Sequence, residues 1–97
     1  MNPVKVSRER LNKLTDLPNI GKAGAGDLRE LGISQAHQLI GRCPYEMHQT
    51  LCARTGVQHD PCVIDVFISI TQFMNGDDPE PWWHYTDERK SYLSQQA

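Results

Sequence analysis

The sequence LPNIGKAGAGDLRELGI, residues 17–33, decides the fold and reads as a tight backbone turn that leads directly into a helix. Leu17 and Ile20 are the apolar anchors of the turn. Pro18 and Asn19 lie between them and favour a turn, because proline fixes φ and asparagine tolerates the left-handed region of backbone space. We therefore expect the chain to reverse direction sharply at this point.

A helix is expected immediately after the turn. Gly21 gives the backbone freedom to turn sharply and places no side chain above it. The helix should begin near Lys22 and end at Gly32, a residue typical of a helix C-cap. Its first amides have no intrahelical partner, and the helix dipole places partial positive charge there, so a phosphate is a natural ligand at this end.

This helix has two different faces. At about 100° per residue, Lys22, Gly26 and Arg29 share one face, and Gly24 and Leu28 share the opposite one. Glycines inside a helix each cost about 1 kcal/mol relative to alanine. Two explanations for the glycines of this helix remain open. One is close packing against another helix, and the other is close approach of a phosphate.

The turn and the helix resemble the helix-hairpin-helix motif, in which hairpin amides hold a DNA phosphate without reading bases. The resemblance rests on residues 17–22 and on Ala25, Leu28 and residues 31–33. Asn19 stands where that motif usually has glycine. We expect Lys13 or Arg42 to contribute further positive charge. The expected phosphate-binding residues are Asn19, Ile20, Gly21, Lys22, Gly24 and Arg29.

A wider resemblance covers most of the chain. The stretches LGISQAHQLIGRCPYEMHQTLC, HDPCVIDVF and PWWHY are similar to a small bacterial family called pathogenicity locus, some of whose members are mitomycin-resistance proteins. This resemblance implies a role in DNA repair or in a stress response.

Length and composition indicate one globular domain spanning residues 1–97, with a core at about 7–76 and an aromatic tail at 77–97. The chain is 38% hydrophobic and has no low-complexity run. The first residues lack the apolar region of a secretory signal, and no stretch is apolar enough to span a membrane, so we expect a cytoplasmic protein with reduced cysteines.

The charge is unevenly distributed. The net charge of the whole chain is −2, but residues 1–54 carry eight Lys or Arg and five Asp or Glu, whereas residues 55–97 carry two and seven. The predicted turn lies in the basic half. This distribution permits a local phosphate site and predicts weak, salt-sensitive binding by the isolated domain.

We expect an all-α fold, a compact bundle of about five short helices arranged as a tandem helix-hairpin-helix (SAM-like) domain with an extended C-terminal tail. The segment from Leu39 to Gly41 resembles a second hairpin. A further short helix is expected from Thr86. Besides the helix that begins near Lys22, the expected helices run from Ser7 through Leu14, from Ser34 through Ile40, from Pro44 to about Arg54, and from Pro61 or Cys62 to about Met74.

The helix expected from Pro61 or Cys62 to about Met74 is apolar over more than half of its circumference, which is typical of a central helix. Asp65, Ser69 and Gln72 mark its polar side.

In the aromatic tail, Trp82 and Trp83 have two possible roles. Aromatic residues can fix an extended segment onto helices, or they can provide an exposed platform for bases or a partner.

Cysteine and histidine residues are concentrated between Cys43 and Cys62. Cys52, His59 and Cys62 are candidate zinc ligands, although no compact zinc spacing is present, and buried thiols are the alternative. Cys62 in the first turn of a helix is also a candidate reactive thiol. Helix amides lower a thiol pKa and a protonated His59 would add to that, whereas Asp60 opposes the effect.

The sequence contains no nucleophile elbow, Walker loop, Rossmann glycine pattern or HExxH motif. We therefore expect a non-enzymatic, sequence-independent DNA-binding module without a cofactor. The alternatives are a protein-interaction module of the same fold, for which the acidic half suits a basic partner, and a protein that carries a metal or a reactive thiol.

Overall fold

The computed structural model describes residues 6–96, and these form four α-helices joined by turns and short 3-10 helices. No strand occurs within this range, so the expected all-α class is confirmed. The α-helices are α1 (Lys22–Glu30), α2 (Pro44–Thr55), α3 (Cys62–Met74) and α4 (Thr86–Gln96), and the 3-10 helices are Leu14–Asp16, Ala36–Leu39 and Trp82–Tyr85.

The predicted ends of α1, α2 and α3 are confirmed within a residue or two, because each depends on local end chemistry. Gly32 follows α1 with φ +79°, and the amide of Ile33 bonds back to the carbonyl of Leu28 at 2.9 Å. Pro44 is the first residue of α2, where its missing N–H costs nothing, and Gly56 ends the helix in the left-handed conformation.

The α-helix expected from Ser7 through Leu14 is absent, so the prediction of about five helices is replaced by four. The chain instead forms the 3-10 helix Leu14–Asp16. The Oδ2 atom of Asp16 accepts the amides of Asn12 and Lys13, both at 3.0 Å, and so starts a tight turn late in the segment. Pro18 then prevents the turn from extending.

The helix expected from Ser34 through Ile40 is likewise the short 3-10 helix Ala36–Leu39. Its start is built in the same way. The Oε1 atom of Gln38 accepts the amide of Ser34 at 2.7 Å and that of Gln35 at 2.9 Å. A side-chain oxygen late in each segment thus sets the start of both 3-10 helices.

Helix α3 lies at the centre of the molecule and is covered on nearly all sides. Phe67 and Phe73 are each only 1% exposed. The expected polar side was wrong for two of its residues, because Asp65 is 0% and Ser69 1% exposed. The C-terminal segment supplies the hydrogen-bond partners of Asp65, and Asn19 from the turn before α1 supplies one for Ser69.

Asp65 is the point at which α4 is fixed to α3. Its carboxylate accepts Arg89 Nε at 2.9 Å, Arg89 Nη2 at 3.3 Å and the Thr86 hydroxyl at 2.8 Å. The hydrogen bonds to Asp65 raise the pKa of the Arg89 guanidinium. A buried charge of this kind is tolerated because each carboxylate oxygen has partners.

The C-terminal segment is extended only before residue 82. The helix expected from Thr86 is present as α4, whereas the 3-10 helix Trp82–Tyr85 corrects the expectation that the tail before it is extended. Tyr85 is buried in a small cluster with Ile64 and Ile68 of α3. Tyr45 of α2 stacks on Tyr92 of α4 with the ring centroids 3.6 Å apart. Tyrosines therefore fix this segment to the helices.

In the part of the chain that the structure describes, no helix combines the length and the apolar character needed to cross a bilayer.

Candidate functional site

The turn before α1 is fixed to the core at both ends. Leu17 and Ile20 are each 0% exposed. Asn19 has φ +63°, so it supplies the left-handed residue of the turn. Gly21 is the N-cap in an extended conformation, φ −96° and ψ −165°, that any residue adopts, which corrects the expectation that Gly21 provides the sharp turn. The Ile20 amide is turned toward the Leu17 carbonyl at 3.5 Å.

The first backbone amides after the turn are free to donate hydrogen bonds to a ligand. The first helical bond runs from the Ala25 amide to the Gly21 carbonyl at 2.9 Å. The amides of Gly21, Lys22, Ala23 and Gly24 donate to no acceptor among the described residues. The first three of these residues are exposed. They carry the partial positive charge of a helix start and can bind an anion.

The three glycines of this region differ in what lies above them. A Cβ on Gly24 would meet the Cδ1 atom of Ile20 at 3.3 Å, so packing accounts for that glycine. A Cβ on Gly21 or on Gly26 would meet nothing within 4 Å, and neither residue has a positive φ. Neither backbone conformation nor internal packing requires glycine at positions 21 and 26.

The predicted cations lie on the surface of the protein. Lys22, Arg29, Lys13 and Arg42 are all exposed, and none forms a salt bridge with another described residue. Lys22 and Arg29 stand at opposite ends of α1, about 10 Å apart along its axis at 1.5 Å per residue. They can therefore neutralise two different phosphates.

The side chain of Asn19 is used inside the protein. Its Nδ2 atom donates to Ser69 Oγ at 3.0 Å and to the carbonyl of Glu80 at 2.8 Å. The Ser69 hydroxyl in turn donates to the Val66 carbonyl at 2.6 Å. Among the predicted site residues, Asn19 and Ile20 therefore shape the turn, whereas Gly21 and Lys22 lie at its open surface.

A second turn of the same construction precedes α2. Gly41, with φ +80°, takes the place of Asn19, and Leu39, which is 0% exposed, takes the place of Leu17. Each left-handed residue stands three positions before the first residue of its helix. The two turns are thus repeats of one local structure.

The second turn presents different groups to its surroundings. Arg42 and Cys43 are exposed, and Ile40 is 58% exposed. Pro44 has no N–H, so this helix start offers one amide fewer than the start of α1. The first turn is the better anion acceptor of the two.

His48 and Cys52 of α2 contact His59 in the connection between α2 and α3, whereas Cys43 lies at the other end of α2. A carbonyl only accepts, so His48 Nε2 donates to the His59 carbonyl at 3.0 Å. The His59 amide donates to Cys52 Sγ at 3.4 Å, and the His59 ring bonds Thr55 Oγ1 at 2.9 Å. Within residues 6–96 no group of three or more His, Cys, Asp or Glu residues is placed to hold a metal ion, and the structure does not bring Cys52, His59 and Cys62 together as such a group.

Cys62 lies in the first turn of α3, but its surroundings oppose reactivity. Its amide donates to Asp60 Oδ1 at 2.8 Å. The hydrogen bond between the thiol and the Asp60 carboxylate raises the pKa of Cys62, and burial adds to this effect. The prediction of a lowered thiol pKa was therefore wrong, because the hydrogen bond to the Asp60 carboxylate and burial both favour the neutral thiol.

A cleft of about 410 Å³ lies between the two 3-10 segments that precede the turns. Of the predicted cations only Lys13 lines it, and the free amides of α1 do not. The cleft is therefore separate from the turn before α1. Its lining residues are Leu11, Asn12, Lys13, Gln35, Ala36, His37 and Met74.

Comparison with known proteins identifies relatives of the chain. The pathogenicity locus family matches residues 7–91. The mitomycin resistance protein McrB of Streptomyces lavendulae is 38% identical over 81 residues, which cover 84% of this chain and 77% of that protein. No solved structure matches the chain significantly.

Proposed function

We propose that this chain, which belongs to the pathogenicity locus family, binds DNA without reading its base sequence. In this proposal the turn before α1 receives one phosphate of the DNA backbone. Lys22 neutralises that phosphate, and Arg29 neutralises a neighbouring one. No chemical step is proposed, and no cofactor is needed.

One observation carries this proposal. The amides of Gly21, Lys22 and Ala23 are exposed at a helix start and have no acceptor in the described part of the chain. Unpaired amides at a helix N-terminus, beside a lysine, match the charge and hydrogen-bonding needs of a phosphate oxygen.

The glycines support close approach of the ligand. Positions 21 and 26 have open space where a side chain would stand, and neither needs glycine for its own conformation. A glycine at such a position lets a ligand reach the backbone. Gly24 has a different role in this proposal. Because it has no side chain, Ile20 of the turn can pack closely against α1.

We further propose that the two repeated turns form a tandem helix-hairpin-helix unit. The same left-handed position, the same buried leucine and the same side-chain cap occur before α1 and before α2. The first hairpin is the principal phosphate site, and Arg42 gives the second hairpin a supporting charge.

Such a site predicts weak and salt-dependent binding. Each neutralised phosphate contributes a slope of about −0.9 in log K against log salt. Three contacts would therefore weaken binding by roughly 40-fold between about 50 and 200 mM salt. The affinity should fall in the range of non-specific binders, with a dissociation constant of about 10⁻⁴–10⁻⁶ M.

The name of the Streptomyces relative suggests the setting of this activity. That protein is named for mitomycin resistance. We therefore propose that DNA binding by this chain serves DNA repair or a stress response.

The test is fluorescence anisotropy of a labelled duplex at two salt concentrations. Lys22→Glu and Gly21→Asp each place negative charge at the turn, and we expect each to weaken binding at least tenfold. Lys90→Glu makes the same charge change on exposed α4 and is the matched control. Equal effects of Lys22→Glu and Lys90→Glu would contradict the hairpin site.

A further inference from the structure

We propose that residues 77–88 form a docking surface for a basic segment of another protein, with Trp83 as the anchor. An arginine of the partner stacks on the Trp83 indole, and its neighbouring cations pair with the surrounding carboxylates. This interaction goes beyond the DNA binding proposed above and does not depend on it.

Trp83 is the most exposed large apolar side chain in the described part of the chain. Its exposed fraction is 63%, against 58% for Ile40 and 56% for Val57. Its ring stands edge-on to Trp82, with 5.6 Å between the centroids and 84° between the planes. Exposed tryptophans held in one orientation are typical of interaction hot spots.

The backbone that carries this indole is held at several points. Arg8 Nη2 donates to the Asp77 carbonyl at 2.8 Å, and Arg8 also bonds the carbonyl of Phe73. Asn19 holds the Glu80 carbonyl, and Tyr85 is only 7% exposed. An ordered segment loses little conformational entropy when a partner binds.

The charge of the surface selects the kind of partner. Residues 77–88 contain five carboxylates and neither lysine nor arginine. His84 lies 3.1 Å from Glu80 and offsets that carboxylate only when it is protonated. Arg8 bonds the Asp77 carbonyl at one edge of the segment, and at the other edge Arg89 is paired with Asp65 while Lys90 is exposed. The carboxylates are Asp77, Asp78, Glu80, Asp87 and Glu88.

These charges favour a protein over a nucleic acid. A phosphate backbone lying over Trp83 would be repelled by the carboxylates on both sides of it. A cation above the indole is attracted by the face of the ring, and tryptophan binds cations better than other aromatic residues do. Arginine is preferred to lysine because its planar guanidinium both stacks on rings and pairs with carboxylates.

The surface is small, so the complex should be transient. One tryptophan and a charged rim bury less than the roughly 1,200 Å² of a standard interface. Rim charges mainly raise the association rate, whereas the anchor determines the lifetime of the complex. Removing the Trp83 side chain should therefore shorten the lifetime of the complex more than removing one carboxylate does.

The test uses the full chain with Trp82→Phe, which leaves Trp83 as its one tryptophan. Titration with a synthetic nonaarginine peptide should change the Trp83 emission in a saturable way. In the otherwise native chain, Trp83→Ala should weaken binding of the labelled peptide at least fivefold, and nonalysine should bind more weakly than nonaarginine. Lys22→Glu should change the affinity less than twofold.

Three results would overturn the proposal. The first is equal peptide affinity of the native chain and Trp83→Ala, since charge alone would then account for binding. The second is a Trp83 response to a single-stranded oligonucleotide but not to the peptide, which indicates base stacking. The third is a Trp83 emission that changes with protein concentration alone, which indicates a second copy as the occupant.

Discussion

The side-chain amide of Asn19 donates to the main-chain carbonyl of Glu80 at 2.8 Å, across 61 positions of sequence. The same nitrogen also donates to Ser69 of α3 at 3.0 Å. One asparagine therefore shapes the turn through its backbone and holds α3 and the C-terminal segment through its side chain. The candidate phosphate site and the segment that carries Trp83 are parts of one connected structure.

Asn19→Gly separates these two roles. Glycine keeps the left-handed backbone but removes both side-chain hydrogen bonds, so the free energy of unfolding should fall by about 1–2 kcal/mol. Urea unfolding measures the change. Gly41→Asn introduces the same residue type in the repeated turn and should have a smaller effect. Unchanged stability of Asn19→Gly would show that these bonds contribute nothing.

Asp65→Asn should be among the most destabilising single changes in the chain. It leaves the guanidinium of Arg89 buried without its counter-charge, which costs about 3–5 kcal/mol. Because the pKa of Arg89 is raised above its ordinary value, the contribution of the arginine is fully present at neutral pH and is lost only as the pH rises through the folded value. The destabilisation should therefore be constant across neutral pH. Thermal unfolding tests this, with exposed Asp87→Asn as the control.

Asp60→Asn should increase the reactivity of Cys62. Asparagine Oδ1 can still accept the hydrogen bond from the Cys62 amide, but the charge that raises the thiol pKa is removed. The pKa of Cys62 should fall toward 9.0, and alkylation by iodoacetamide near neutral pH should be faster. Peptide mapping separates Cys62 from Cys43 and Cys52. An unchanged pH profile would contradict the assigned cause.

The same Asp60 predicts an acid effect on stability. Its pKa is lowered below 3.8, chiefly by the hydrogen bond from the Cys62 amide. The contribution of Asp60 to stability is therefore present above about pH 4 and is lost as the pH falls through the folded value. The stability difference between the native chain and Asp60→Ala should accordingly disappear in acid, as urea unfolding at several pH values would measure.

Gly26→Ala should separate stability from binding. Alanine at an open position inside α1 should raise the free energy of unfolding by about 0.5–1 kcal/mol, while its methyl group hinders a ligand on that face. Gly24→Ala is the matched control, because its Cβ would press on Ile20. A Gly26→Ala protein that is more stable and binds DNA as the native chain does would place the ligand elsewhere.

Features that depend on local chemistry could be predicted from the sequence. The ends of α1, α2 and α3 are determined by residues within one turn of them, such as Gly32, Pro44 and Gly56. The left-handed conformation of Asn19 follows from its residue type in the same way. The short 3-10 segments were misjudged because one side-chain oxygen, in Asp16 or Gln38, determines where each begins.

Features that depend on distant partners could not be predicted. Asp65 and Ser69 have the residue types of a solvated helix face, but they are buried because Arg89 and Asn19 reach them from 24 and 50 positions away. Sequence spacing does not give either relationship.

The most direct test of the central claim is to follow the backbone amides of the first turn by two-dimensional NMR while a short DNA duplex is added. The account predicts that the amide signals of Gly21, Lys22 and Ala23 shift most, and that the shifts diminish as salt is raised. The amides at the start of α2 should shift less. Bound DNA that leaves these three signals unmoved would contradict the account.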